Sequence, residues 1–360
     1  MIANGGNMTL KDNQGNAPLH DIAKSSMNCE KMMKDLMAEM PYEFSYGRIP
    51  TNFRGETPLH VAASNGRKDK AEFLMEYYTR TQSDPEPEDN YGNKPIHLSA
   101  KDPKSIEVLK YFMTKVDEKE PRNNKNDTPL HIAAANGNVE AVKFLVPIVN
   151  DIDPENSEQF TPWISAAYAG HLSVIQYLQD YKEDDEYDEN YAGTYDDYDD
   201  DVRGINSQYT FNGGYDICHV SAANGHIHIV KYVCQYLDCL PITSEGIQPI
   251  HLAAEGGYKN IVNYLINSQS ANPEVTTKDK YTPLHYAAKE GHLEVVKYLI
   301  EERNVNPEPR TNNGFTPLYF AACHFKVGML VNDYCLPISL HMIFSFLFSC
   351  LPKGENRCDQ

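Results

Sequence analysis

The chain has 360 residues and a formal net charge of −19, with 32 Lys and Arg against 51 Asp and Glu. An acidic excess of this size argues against nucleic acid as a partner, because a surface that binds nucleic acid is basic. Hydrophobic residues make up 41% of the chain, which is enough to build a packed fold.

A short phrase recurs nine times along the chain and is most complete as TPLH at 57–60 and at 282–285. Its copies are separated by 40, 37, 34, 33, 55, 32, 34 and 34 residues. A period near 33 residues predicts a stacked array of helical repeats, in which each repeat contacts its neighbours. The last position of the phrase, called the histidine slot below, holds His20, His60, His97, His131, Ile164, His219, His251, His285 and Tyr319.

Each copy predicts a tight turn followed by two helices. A glycine five residues before the slot suits a hairpin turn, a threonine three residues before the slot suits a helix N-cap, and the proline after it suits the first helical position. An apolar i, i+3, i+4 pattern, clear from Val295 to Leu299, predicts the second helix. Ala17, Lys94 and Gln248 replace the capping threonine, so their repeats lose that cap at a cost of about 1 kcal/mol each.

These repeated residues make the chain resemble an ankyrin-repeat protein over about residues 1–326. The resemblance implies an all-α solenoid of about nine helix–turn–helix repeats, with β-hairpin-like turns along one edge. It also implies slot histidines that hydrogen-bond across the first turn of their helix. Members of this family bind partners on the concave face, so the resemblance implies protein binding there.

The repeat pattern divides the chain into four predicted segments. Residues 1–181 form repeats 1–5, beginning with the remnant of a helix pair at 1–10, and residues 211–326 form repeats 6–9, the last of them incomplete. An acidic insert occupies 182–210, and an apolar tail outside the repeat pattern occupies 327–360. Because the first and last repeats are both incomplete, we expect a fragment of a longer polypeptide.

The insert at 182–210 carries eleven of the 51 acidic residues, interleaved with tyrosines and without a basic residue between Lys182 and Arg203. Self-repulsion and scarce aliphatic residues predict a disordered loop. A solvated spacer, a docking site for a basic partner and a site of tyrosine phosphorylation are all open interpretations. A calcium loop is disfavoured, because Ala192 fills a ligand position and Asp199 replaces the expected glutamate.

The apolar tail contains a stretch without charged residues at 334–352. It can be interpreted as an unnatural terminus from a retained intron or an incomplete gene model, as a short membrane anchor, or as a hydrophobic cap on repeat 9. Proline, histidine and three serines make it a poor membrane span, since a span needs roughly 20 predominantly apolar residues.

The sequence predicts no catalytic, cofactor or metal site. Seven of the 13 histidines occupy the histidine slot, and no phosphate-binding glycine loop, nucleophile elbow or zinc-protease motif occurs. The densest group of metal-ligand types fits no zinc spacing, because the repeat accounts for most of its members. That group is Cys218, His219, His226, His228, Cys234 and Cys239.

The candidate partner-binding surface is the rim of the concave face, formed by the residues just before each cap position. Four rim residues are aromatic, and aromatic side chains often dominate binding energies. We expect a partner peptide or protein to contact these four and their neighbours on the first helices, although each aromatic could instead pack on an adjacent hairpin. The predicted contacts are Phe160, Tyr215, Tyr281, Phe315, Ser165, Val220, Leu252 and Tyr286.

The sequence therefore predicts a monomeric, non-catalytic scaffold that binds partner proteins or peptides. Eight cysteines without a C-x-x-C pair and a start without signal-peptide features favour the cytoplasm and free thiols. The alternative is the cytoplasmic array of a larger membrane protein, such as an ankyrin-bearing cation channel, or of a multidomain enzyme. Contact with a membrane is expected only if 334–352 is an anchor or the chain is a fragment. Fold alone does not identify the partner.

Overall fold

The computed structural model describes two compact units, unit 1 within residues 1–191 and unit 2 within residues 192–360. The described residues hold 17 α-helices and no β-strand, which confirms the all-α prediction. None of these helices has the length and apolar character needed to cross a bilayer. The described residues are 11–27, 30–38, 49–116, 118–185, 213–236 and 240–323.

Three predicted features fall largely or wholly outside the described residues. They are the helix-pair remnant at 1–10, the acidic insert at 182–210 and the apolar tail at 327–360. The helix that precedes the insert ends at Asp185, so the first four residues of the predicted insert continue that helix.

Unit 1 contains five helix pairs, in which odd-numbered helices follow the repeated phrase. The odd-numbered helices stack in order on one another, and α4, α6, α8 and α10 stack in a second row. Short 3₁₀ turns lie at Pro103–Ser105 and Val146–Ile148. The helices are α1 Pro18–Lys24, α2 Glu30–Ala38, α3 Pro58–Ser64, α4 Lys68–Arg80, α5 Pro95–Ala100, α6 Ile106–Lys115, α7 Pro129–Ala135, α8 Val139–Leu145, α9 Pro162–Ala169 and α10 Leu172–Asp185.

Unit 2 repeats the same arrangement with three helix pairs and a final first helix. The first helices stack as one row, the second helices as another, and a π-helical turn at Tyr298–Glu302 extends the last second helix. The helices are α11 Ile217–Ala223, α12 Ile227–Val233, α13 Pro249–Glu255, α14 Lys259–Gln269, α15 Pro283–Glu290, α16 Leu293–Lys297 and α17 Pro317–Cys323.

The first helices begin where the phrase predicts, and their small residues form the core. In α3, Thr57 is the extended N-cap residue and Pro58 occupies the first helical position. Leu59, Ala62 and Ala63 are fully buried, and the two alanines allow neighbouring first helices to pack closely. The short apolar phrase is therefore enough to bury one face of each helix.

The threonine caps act differently from the prediction in part of the array. The hydroxyls of Thr57 and Thr282 lie 2.9 Å from Nδ1 of their slot histidines and accept no helix N–H. Thr128 does accept, from the backbone N–H of His131 at 3.4 Å. The hydroxyl therefore holds the histidine ring at Thr57 and Thr282, whereas Thr161 and Thr316 accept from the N–H of Ile164 and of Tyr319 as predicted.

The three repeats without threonine lack a side-chain cap, as predicted, yet their first helices form. In each of them Nδ1 of the slot histidine accepts a hydrogen bond of 3.0 Å from the backbone N–H of Ala17, Lys94 or Gln248. Because this bond uses only the backbone of the cap residue, it survives any substitution at that position except proline.

The expectation of free thiols throughout is wrong at Cys234, which is disulfide-bonded. Its bonding partner lies outside the described residues. Cys218, buried in α11, and Cys323, at the end of α17, are free. The predicted cytoplasmic setting therefore loses the support that unpaired cysteines would have provided.

Candidate partner-binding surface

The slot histidines position the rim of the surface, because each one joins two repeats. Nδ1 faces its own cap residue, and Nε2 donates to a backbone carbonyl of the next repeat at 2.8–3.2 Å. The acceptor at the next repeat is usually the rim residue itself, as in His131 to Phe160 at 2.9 Å and His285 to Phe315 at 3.2 Å. The sequence indicated only the bond within the first turn and missed the bond between repeats.

Burial favours the neutral form of six of the seven slot histidines, because it lowers the pKa of His20, His60, His97, His131, His251 and His285. It lowers the pKa of His251 to about 4, and the hydrogen bonds to backbone groups only partly offset that effect. In these six a carbonyl can only accept, so the proton lies on Nε2 and leaves Nδ1 as the acceptor for the cap residue. His219 differs, because its Nδ1 lies 2.8 Å from the Asp216 carboxylate, which also only accepts. The histidines are therefore structural crosslinks between repeats.

Turn side chains fix the rim backbone from the other side. In unit 2, the hydroxyl of Thr277 accepts from the N–H of Tyr281 at 3.1 Å, and that of Thr311 accepts from Phe315 at 3.1 Å. In unit 1 an asparagine or aspartate takes this role, as Asn156 does for Phe160 at 3.0 Å. Phe160, Tyr281 and Phe315 thus project from closed turns whose backbone is held by these bonds.

The rims of the two units differ in chemistry. In unit 1, polar rim residues bond to side chains of the neighbouring turn, as in Asn123 to Asn93 at 2.8 Å and Asn156 to Asp127 at 2.7 Å. In unit 2 the rim positions are apolar or aromatic. They hold Tyr215, Ile247, Tyr281 and Phe315.

Five aromatic side chains of unit 2 form one continuous group, which we call the aromatic strip. Phe320 lies at its centre, with ring centroids 5.3 Å from Tyr281, 5.9 Å from Phe315 and 5.6 Å from Tyr319. Tyr286 extends the strip at 5.8 Å from Tyr281, and Tyr319 stacks on Phe315 at 4.2 Å. All five side chains are partly exposed, so the strip presents ring surface to solvent.

The predicted contact residues are only partly brought together. Tyr281, Tyr286 and Phe315 belong to the strip, and Leu252 is partly exposed on α13 of the same unit. Tyr215 packs edge-on against His219, with centroids 5.4 Å apart.

The remaining predicted residues belong to the other unit or are covered. Phe160 and Ser165 belong to unit 1, where the Phe160 ring lies 5.9 Å from that of Tyr168. Ser165 and Val220 are 7% and 5% exposed, so each offers little surface to a partner.

Phe320 is the main residue of the surface that the sequence analysis missed. It follows the histidine slot directly, as Tyr286 and Leu252 do in their repeats, so the repeat register contained the signal. Tyr319 occupies the slot itself, where a histidine would have been buried.

Charged side chains adjoin the Tyr286 end of the strip. Nζ of Lys289 lies 3.4 Å from a carboxylate oxygen of Glu255 and 3.4 Å from one of Glu290. The pKa of Tyr286 is raised to about 12, first by burial and then by the negative charge of Glu255. Glu255 also acts in the same direction on the pKa of Tyr215, after burial. This end of the strip therefore carries a negative potential.

Within the part of the chain that the structure describes, no group of three or more His, Cys, Asp and Glu side chains could hold a metal ion. In the cluster that the sequence singled out, the two ring nitrogens of His219 lie 2.8 Å from the Asp216 carboxylate and 3.1 Å from the Ile247 carbonyl. Cys218 is buried in α11 and Cys234 is disulfide-bonded. The repeat itself thus engages these candidate ligands.

Comparison with known families agrees with this architecture. The family model for ankyrin repeats (3 copies) matches residues 1–89, 19–119, 96–189, 200–279 and 250–333, which together are well over half of the chain. No curated protein matches the chain. On the strength of these matches and of the stacked helix pairs, the chain belongs to the ankyrin-repeat family.

Proposed function

We propose that this chain is a non-catalytic interaction scaffold that holds an extended segment of a partner protein against the aromatic strip of unit 2. Ankyrin repeats are in general protein–protein interaction modules. Tyr215 and Leu252 adjoin the binding surface in the proposal, and Phe160 forms a separate contact point in unit 1. Val220 and Ser165, at 5% and 7% exposure, support these residues from below and contribute little contact area. A monomeric chain in a cytoplasmic setting is part of the same proposal.

The observation that carries the proposal is the aromatic strip. Partly exposed aromatic rings supply large contact areas at a low cost in side-chain entropy, and they are the residues most often found as binding hot spots. The rim residues Tyr281 and Phe315 are held by turn hydrogen bonds and by the His285 crosslink, so the surface is preorganised.

The use of the histidines also supports binding over catalysis. Proton transfer needs a group that titrates near the working pH and reaches the substrate. The slot histidines are buried, and burial lowers the pKa of His60, His97 and His251. Their ring nitrogens are occupied by backbone groups, so they serve the fold.

The test is a selection from a displayed library of random 12-residue peptides on the full chain, followed by affinity measurements on synthetic copies. We expect the double variant Tyr281→Ala with Phe315→Ala to weaken binding by roughly 30-fold or more, since one hot spot contributes about 2 kcal/mol. Tyr236→Ala removes another exposed aromatic of unit 2 outside the strip and is the matched control.

Unchanged affinity in the double variant, with its helix content intact, would refute the proposed surface. If that variant unfolds, Leu252→Ser provides the second test, because Leu252 is partly exposed and its truncation leaves the ring contacts in place. Equal affinity for Leu252→Ser and the unaltered chain would count against an extended segment lying along the first helices.

A further inference from the structure

We propose that the end of the aromatic strip formed by Tyr286, Tyr281 and Glu255 receives a lysine or arginine side chain of the partner segment. This inference rests on the proposed function and specifies the chemistry of its partner. It concerns one cationic side chain that lies beside tyrosine rings and adjacent to a carboxylate.

The charges at this end are unbalanced. Glu255 and Glu290 share a single cation, Lys289, whose Nζ lies 3.4 Å from each carboxylate. All three side chains are a little over one-third exposed, so the pairs are screened by water and each contributes little. A second cation can therefore join the group, or replace Lys289 at Glu255, without a buried charge being left unpaired.

The rings supply the second half of the site. Tyr281 and Tyr286 are inclined at 53° with centroids 5.8 Å apart, so they form a corner and not a flat stack. A cation within about 6 Å of a tyrosine ring is attracted by the π face, and the attraction grows as the cation is desolvated. The Tyr286 ring lies 5.5 Å from the ring of His251, one helical turn before Glu255, and Lys289, which follows Tyr286 on its helix, lies 3.4 Å from the Glu255 carboxylate, so this carboxylate adjoins the rings.

The same chemistry already occurs elsewhere in unit 2. Nζ of Lys231 lies 5.6 Å from the centroid of the Tyr264 ring, and that of Lys259 lies 5.4 Å from the centroid of the Tyr298 ring. The corner at Tyr281 and Tyr286 offers such ring faces beside a carboxylate surplus. A basic side chain fits this combination better than a neutral apolar one, which gains nothing from the carboxylates.

The net charge of the chain selects the class of partner. At −19 the chain repels polyanions, so a protein segment with basic side chains is favoured over nucleic acid or an anionic lipid surface. The strip continues from Tyr286 through Phe320 to Phe315, which implies that apolar residues follow the basic one in the partner segment.

The experiment uses the peptides selected on the full chain in the preceding test. We expect a basic residue to be enriched at one position, and we expect an analogue with norleucine at that position to bind about tenfold more weakly. Glu255→Gln should weaken the basic peptide by about fivefold to tenfold and leave the norleucine analogue unchanged. Lys289→Gln, which removes the competing cation, should strengthen the basic peptide by about threefold.

Two substitutions at Tyr286 test the contribution of its ring to binding. Tyr286→Phe keeps the π face and should hold the affinity within about twofold, whereas Tyr286→Leu keeps an apolar side chain and should lose about tenfold. Because Tyr286 is partly exposed, neither change opens a core cavity.

The outcomes separate this inference from the function on which it rests. Selected peptides that need Tyr281 and Phe315 but share no basic residue would overturn the inference and leave the proposed function standing. A basic peptide whose affinity is unchanged by Glu255→Gln and by Tyr286→Leu would overturn the inference as well. If selection on the unaltered chain enriches peptides no more than selection on the Tyr281→Ala, Phe315→Ala variant does, both the inference and the proposed function are overturned.

Discussion

At the scale of the residue, the slot histidine connects the repeat phrase to the pH dependence of stability. Burial lowers the pKa of His251 from 6.5 to about 4, so the unfolded chain takes up this proton at a higher pH than the folded chain. Above about pH 6.5 both states are neutral, and this residue adds no pH dependence. As the pH falls from 6.5 towards 4, the free energy of unfolding decreases by up to about 1.4 kcal/mol per pH unit for this one proton.

We therefore expect His251→Gln to make the pH dependence of stability shallower by up to one proton between about pH 6.5 and 4.5. The variant should also be less stable at about pH 7.5, because its bond to the Val275 carbonyl is lost or weakened. Urea unfolding at closely spaced pH values measures both effects. Asn136→Ala removes an exposed amide that does not titrate and should keep the original slope. A slope in His251→Gln equal to that of the unaltered chain would contradict the assignment.

Substitutions at two hairpin glycines of unit 2 measure the cost of backbone strain separately from the cost of a clash between neighbouring repeats. Gly246 and Gly314 have φ values of +79° and +78°. A Cβ on Gly246 would lie 3.0 Å from the backbone nitrogen of Lys278 in the next hairpin. A Cβ on Gly314 would have no described neighbour within 4 Å. The same substitution therefore tests one effect at Gly314 and both effects at Gly246.

We expect Gly314→Ala to lower the free energy of unfolding by about 1 kcal/mol, the cost of a left-handed conformation in an L-residue. Gly246→Ala should cost about 2–3 kcal/mol, because the hairpins must also move apart. Hydrogen exchange of unit 2 amides measures both values. Equal losses in the two variants would show that the contact between hairpins contributes nothing.

At the scale of the residue, the sequence predicted some contacts correctly and missed others. The phrase identified the slot histidines and the proline starts, because these follow from bonds within one turn of helix. It could not identify the acceptor of each Nε2, since Phe160 and Phe315 lie 29 and 30 residues beyond their histidines. The threonine caps were predicted correctly at Thr128, Thr161 and Thr316. The prediction was wrong at Thr57 and Thr282, where the hydroxyl bonds to a ring nitrogen that only the folded repeat brings near.

At the scale of the element, Asn138 joins two repeats through one buried side chain. Its Oδ1 caps α8 by accepting from the N–H of Ala141 at 3.1 Å, and its Nδ2 donates to the carbonyl of Ala100 in the preceding repeat at 2.9 Å. The side chain is fully buried. Removing it leaves a helix start uncapped and a buried carbonyl without that donor.

We expect Asn138→Ala to lower the free energy of unfolding by about 2–3 kcal/mol, from the lost cap and the unsatisfied carbonyl. Asn136→Ala is the matched control, because the Asn136 amide is exposed and donates only to Ile132 of its own helix. Urea unfolding followed by circular dichroism compares the two. A loss in Asn136→Ala as large as that in Asn138→Ala would refute a special role for the bond between repeats.

The repeat register predicts the boundaries of the first helices but not the lengths of the second helices. First helices were predictable because threonine and proline fix their starts, and they keep lengths of six to eight residues throughout. Second helices range from five residues in α16 to 14 in α10, which the period alone does not determine. The π-helical turn after α16 depends on the buried Tyr298, whose hydroxyl bonds to Asn263 of the preceding repeat at 2.9 Å. Such long-range bonds leave no local pattern in the sequence.

At the scale of the molecule, the repeat register predicts which residues lie on the rim, but it does not predict which of them contact one another. Tyr281 and Phe315 were both predicted, yet their grouping depends on Phe320, which contacts both from the next helix. Phe160 was predicted as a rim residue by the same register, and it belongs to unit 1, where its ring lies 5.9 Å from that of Tyr168. The aromatic strip is therefore a property of packing between repeats, which a one-dimensional pattern does not contain.

The charge of the whole chain leads to a kinetic prediction for the proposed partner. With a net charge of −19, the chain should attract a basic peptide over distances beyond direct contact, and salt screens this attraction. We expect the association rate of a selected basic peptide to fall about tenfold between about 50 and 500 mM salt, while its dissociation rate changes less than about twofold. Stopped-flow mixing of labelled peptide with the full chain measures both rates.

The acidic insert provides the control for this prediction, because it carries eleven of the 51 acidic residues of the chain. Replacing those eleven with Asn and Gln should slow association at low salt and leave dissociation unchanged, since dissociation is governed by short-range contacts at the strip. A neutral peptide analogue should associate at a rate that salt does not alter. If the basic peptide also associates at a salt-independent rate, the partner is not drawn in by charge. Its basic residue would then act only through direct contact with Glu255 and the tyrosine rings.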